Sequence, residues 1–170
     1  KSTYAHSRLA EGKDLLARGI YADALAPLES ALMLSGMHSE EAQVALAEAR
    51  LGLDDIQAAQ AQISSARRLY VGSQTLGKRL GDAFSRTGHW NLAIAEYLEE
   101  RRRREDPLYA IDELSRAYLG DGKLRELAEL IRRHSRAPLL TLDSVDDRVR
   151  MAICLTEAGR YADARKNKKM

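Results

Sequence analysis

The stretch Gly88-His89-Trp90-Asn91-Leu92-Ala93 joins a glycine to a large side chain two positions on and a small residue three beyond that. The same unit stands at Gly19-Ile20-Tyr21-Ala22-Asp23-Ala24 and at Gly159-Arg160-Tyr161-Ala162-Asp163-Ala164. Two fainter copies fill the gaps, Asp54-Asp55-Ile56 with Ala59 and Gly122-Lys123-Leu124 with Leu127. The small-residue position therefore falls at Ala24, Ala59, Ala93, Leu127 and Ala164, in steps of 35, 34, 34 and 37 residues. A period near 34 with this content predicts a stack of helical hairpins, helix A before the glycine and helix B after it.

Working outward, the flanking residues carry helical periodicity. In the first copy Tyr21, Ala24, Leu28, Ala31 and Leu32 form a buried stripe, with Leu9, Leu15 and Leu16 on the preceding helix and Gly12 at a close approach. Pro27 falls inside that second helix, where it should bend it or relax its first turns, and Ser35-Gly36 ends it. Repeats are expected at about 5–38, 40–73, 74–107, 108–141 and an incomplete 145–170, together forming one domain over 1–170. Pro138 and a loop over 137–144 account for the longer last step, and a turn is expected at Gly159.

Composition agrees with an all-α chain: 170 residues, 45% hydrophobic, 31% charged, 5% aromatic and only three prolines. A net charge of +2 gives no strong field toward nucleic acid or an anionic membrane. The basic residues are mostly Arg, which points to a GC-rich bacterial genome. The lone Cys154 excludes an intramolecular disulfide framework, and no apolar run reaches membrane-spanning length. The start at Lys1 leaves room for an upstream signal, anchor or domain, so both bacterial cytoplasm and periplasm stay open.

Little in the chain reads as catalytic chemistry. His6, His38, His89 and His134 show no metal-ligand spacing, and Cys154 reads as a buried thiol on the inner side of its helix. Leu53-Asp54-Asp55-Ile56 reads as a helix cap rather than a calcium loop. The run Glu99-Glu100-Arg101-Arg102-Arg103-Arg104-Glu105-Asp106 reads as self-paired, Glu99 with Arg103, Glu100 with Arg104 and Arg101 with Glu105; a docking patch for an acidic partner is the alternative. Lys166, Lys168 and Lys169 form a second basic tip. The expectation is a non-enzyme without metal or cofactor.

With its residues in view, the chain resembles the tetratricopeptide repeat (TPR) family. Leu80-Gly81 with Phe84, then Gly88, Trp90, Ala93 and Tyr97, match the family's helix A and helix B signatures, and the five copies cover nearly the whole chain. The resemblance implies a right-handed α-solenoid of stacked antiparallel hairpins, about 4.5 repeats. In it Tyr21, Trp90 and Tyr161 would fill the wedge toward the next hairpin.

The resemblance further implies a concave groove lined by helix A faces. Repeat 1 would present His6, Leu9, Lys13 and Leu16; repeat 2, Glu41, Val44, Glu48 and Leu51; repeat 3, Lys78, Arg79, Asp82 and Arg86. Repeat 4 would present Tyr109, Asp112, Glu113 and Arg116, and repeat 5 Asp146, Val149, Arg150 and Ile153. The peptide-carboxylate clamp of some members does not fit, because Asp82 stands where Asn is wanted and Glu113 repels a carboxylate. A groove of alternating sign instead suits a mixed-charge peptide, with Tyr109 as aromatic anchor.

The function so implied is a non-catalytic scaffold binding a protein or peptide segment, as in bacterial envelope, secretion or polysaccharide-export assemblies. A substrate-docking or regulatory segment of a larger enzyme is one alternative. Self-association through the terminal repeats is another.

Overall fold

A computed structural model describes residues 2–134 and 145–167, with side chains for 3–134 and 145–159. Nine helices and no strand occur among the described residues. Four of them begin at the large residue of the repeated unit: α2 (Tyr21–Leu34), α4 (Ile56–Leu69), α6 (Trp90–Arg104) and α8 (Leu124–His134). These helices B alternate with the helices A, α1 (Ser2–Ala17), α3 (Glu40–Gly52), α5 (Leu76–Arg86) and α7 (Ile111–Gly120); α9 (Val145–Asn167) comes last.

The local cause of each turn is legible at the backbone. Gly19, Gly88 and Gly122 have φ between 70° and 77°, the left-handed region where a side chain is strained. Asp54 takes the same role at φ 60°, which explains why the second copy of the unit looked faint: a short polar side chain replaces the glycine. Asp55 then caps α4 by accepting from the Ala58 N–H at 3.1 Å, and Ser39 caps α3 by accepting from Ala42 at 3.2 Å.

The small-residue position is the centre of each hairpin. Ala24, Ala59, Ala93 and Leu127 are all completely buried. Gly12 serves the first hairpin in the same way, since a Cβ there would meet Leu28 at 2.5 Å.

The chain packs as two units, Lys1–His89 and Trp90–Met170. In the first, α1 packs on α2 and α3, and α3 packs on α4 and α5. Leu16, Leu28, Leu32 and Leu46 close over Ala24, Ala31, Ala42, Ala45 and Ala49 to form its core. In the second, α7 packs on α6, α8 and α9. Leu119, Leu127, Ala128, Ile131, Met151, Cys154 and Ala158 form the core there.

Two expectations fail. No turn forms at Gly159: α9 runs through it as one helix to Asn167. Glycine inside a helix costs only about 1 kcal/mol relative to alanine, less than the hydrogen bonds an interruption would release. Among the described residues, no atom outside its own helix comes within 4 Å of a Cβ there. The charged run also pairs differently. Glu99 binds Arg102 at 2.6 Å rather than Arg103, and Glu100 takes both Arg103 at 2.7 Å and Arg104 at 3.3 Å. Arg101 turns to the Pro107 carbonyl, because Glu105 has left the helix with φ 53°. Pro138, the 137–144 loop, Lys168, Lys169 and the side chains of Tyr161, Ala164 and Lys166 lie outside the described residues.

Candidate functional site

The helix A faces of the first unit enclose a cleft of about 310 Å³ across α1, α3 and α5. Its floor is apolar, with Leu16, Val44 and Ala45 buried. Lys13, Glu48, Arg79, Asp82 and Arg86, five residues from three helices, line it together with Glu41. Lys78, one residue before Arg79, pairs with Asp82 at 2.9 Å.

The charges of this cleft are matched across helices. Arg86 grips Glu48 through two 2.7 Å hydrogen bonds, Nε to Oε1 and Nη2 to Oε2. The Glu48 carboxylate is 4% exposed while the Arg86 side chain keeps 55%, so a buried acid is met by a cation reaching in from the rim. Lys13 pairs with Glu41, and Arg79 pairs with Glu40 at 3.2 Å and Glu41 at 3.8 Å. The Glu41 carboxyl is held below its ordinary value, first by the hydrogen bond from Lys13 and against the opposing effect of burial, then by the charges of Lys13, Arg79 and His6. The acidic second repeat and basic third repeat therefore neutralise one another around the apolar floor.

Glu40 was not among the residues expected at the groove, yet it organises one end of it. Its carboxylate accepts from Ser73 at 2.5 Å and Thr75 at 2.6 Å, tying the entry of α5 to the first turn of α3. The signal was present in the charges. Glu41 with Arg79 and Glu48 with Arg86 share a separation of 38 residues, one repeat plus one helical turn.

The remaining candidates belong to the second unit and are held in separate local arrangements. The Arg104 guanidinium covers the Tyr109 ring at 4.1 Å from its centroid, in the turn before α7. Asp112 and Arg116 lie one turn apart on α7, with Arg116 exposed. Arg150 pairs with Asp146 at 2.9 Å along α9. Cys154 is 1% exposed, and burial pushes its thiol up. No group of His, Cys, Asp and Glu is placed to hold a metal ion among the described residues.

Neither a protein-family model nor a curated protein matches this chain. Among solved structures, the nearly identical TPR-like repeats of a protein assigned as a kinesin light chain, from Podosopora anserina, are similar to it. That match has a TM-score of 0.58 at 15% identity, covering 98% of this chain and 92% of the other. With the helical hairpins described above, it makes the fold an all-α, TPR-like solenoid.

Proposed function

We propose that this chain is a non-catalytic protein-interaction module that takes a peptide or protein segment on its helix A faces. The observation carrying this reading is the cleft of the first unit, where an apolar floor of Leu16, Val44 and Ala45 is rimmed by internally paired charges. A floor that is apolar between fixed, neutralised charges suits an apolar side chain flanked by polar ones, as an extended or helical segment would offer. TPR-like repeats generally mediate protein–protein contact, and the fold supports the same class of role here.

The test is affinity for a partner purified with the chain. Val44→Lys fills and charges the floor, and Lys78→Glu with Arg79→Glu reverses part of the rim. Loss of binding in Val44→Lys, with helix content unchanged, is the expected result; retained binding in both variants overturns the cleft assignment.

One observation favours self-association as a second reading. Val145, Val149 and Ile153 recur on one face of α9 and are 70%, 51% and 49% exposed, an apolar stripe that a second copy could cover. Light scattering at two concentrations tests it, and a constant monomer mass rejects it.

A further inference from the structure

A second cleft, of about 660 Å³, opens in the second unit between two helices B, α6 and α8, with Tyr118 of α7 contributing to its wall. Arg101 stands in it with an unusual set of partners. Its Nη2 donates to the Pro107 carbonyl and to Nε2 of His134 at 3.3 Å, both uncharged acceptors. Because a guanidinium can only donate, that contact makes His134 a neutral ring with its proton on Nδ1. The Nη1 of Arg101 is buried with no hydrogen-bond partner, and no carboxylate pairs with Arg101 among the described residues. A buried guanidinium nitrogen without an acceptor is costly unless something supplies one.

The rim adds cations that differ in how they are held. Arg133 shares Glu129 with Arg132 at 3.4 Å, and Arg102 belongs to Glu99. Arg125 is exposed and has no ion-pair partner among the described residues. We propose that this cleft is a binding site for a single carboxylate of an acidic peptide segment, held by the guanidinium of Arg101, which lacks a carboxylate partner of its own among the described residues, together with Arg125 and Arg133 of α8.

Single charge and peptide origin both follow from the lining. Glu105, Glu126 and Glu129 also border the cleft, so a multiply charged phosphate meets repulsion that one carboxylate can avoid by sitting at Arg101. Leu98, Leu130 and Pro107 give apolar wall on which the neighbouring side chains of a peptide can lie. A planar guanidinium matches a carboxylate in geometry as well as charge. Burial lowers the Arg101 pKa against the opposing pull of Tyr118 and Asp106, and burial with Arg101 and Arg133 lowers that of His134, so the cleft opposes positive charge in a way that an anion would relieve.

The experiment uses the full chain at pH 7.5 and the His134 ring signal in proton NMR, assigned with His134→Gln. The probes are two capped pentapeptides, Ala-Leu-Glu-Leu-Ala and Ala-Leu-Gln-Leu-Ala, and inorganic phosphate. The expected result is a saturable shift with the Glu peptide, about tenfold tighter than with the Gln peptide, as one charge-assisted hydrogen bond predicts. Arg101→Gln, and separately the exposed Arg125→Gln, should bring the Glu peptide down toward the Gln level. No saturable shift, equal binding of the two peptides, or unchanged binding in both variants overturns the site. Tighter saturation by phosphate than by the Glu peptide overturns the carboxylate assignment.

Discussion

The ring of Trp90 lies against the bare Cα of Gly120, so closely that a Cβ on Gly120 would stand 2.5 Å from the ring atom Cε2. Tyr21 meets Gly52 in the same way in the first unit. In each case the large residue opening a helix B packs on a glycine at the end of the next helix A, about 30 residues later. Within each unit, two successive hairpins are thus joined by an aromatic ring seated in a missing side chain.

Gly120→Ala should therefore destabilise the protein although alanine favours helix. Overpacking costs about 1–3 kcal/mol, against a helix-propensity gain of about 1 kcal/mol. Trp90 is the only tryptophan, so its fluorescence in a urea titration reads the second unit directly. Trp90→Leu in the Gly120→Ala background, followed by circular dichroism since it lacks the tryptophan, should recover part of the loss; an unchanged midpoint in Gly120→Ala itself would refute the packing account.

Arg86→Met leaves the Glu48 carboxylate buried without its cation. Breaking a fully buried pair costs about 3–5 kcal/mol, and the half-exposed Arg86 lowers this to about 2 kcal/mol here. Adding Glu48→Gln removes the stranded charge, so the double variant should be more stable than Arg86→Met alone. Denaturant midpoints of the three proteins form the check.

The Glu41 carboxyl is depressed in the folded state, mainly by its hydrogen bond from Lys13. Its stabilising contribution is then complete above the ordinary carboxylate pKa and disappears as pH falls through the lowered folded value. Lys13→Met should flatten that part of the stability–pH curve and raise the Glu41 pKa, as read by carboxyl carbon NMR.

His134 is also depressed, by burial and then by Arg101 and Arg133. The unfolded chain binds its proton more readily, so this contribution is present above the ordinary imidazole pKa and is lost as pH falls through the interval down to the folded value. An NMR titration should place His134 below the ordinary value, and Arg101→Gln should move it upward.

Much of this was legible in the chain. Tyr21, Ile56, Trp90 and Leu124 announced the four helix B starts, and Ala24, Ala59, Ala93 and Leu127 announced the buried centres. These readings held because turn and close contact both depend on local side-chain size, which a repeat displays several times. Gly159 misled because the same letters stand there inside a continuous helix, which tolerates a glycine at a cost of only about 1 kcal/mol.

The sequence by itself determined the hairpin period and the turn glycines Gly19, Gly88 and Gly122, since these follow from backbone conformation and helical spacing. Only the tertiary structure decided what those residues do to one another. Charges 38 residues apart cancel at Glu48 and Arg86, whereas Arg101 is turned away from its helical neighbours to a carbonyl and a neutral histidine. Ion pairing depends on distances between helices, and a one-dimensional pattern does not contain them.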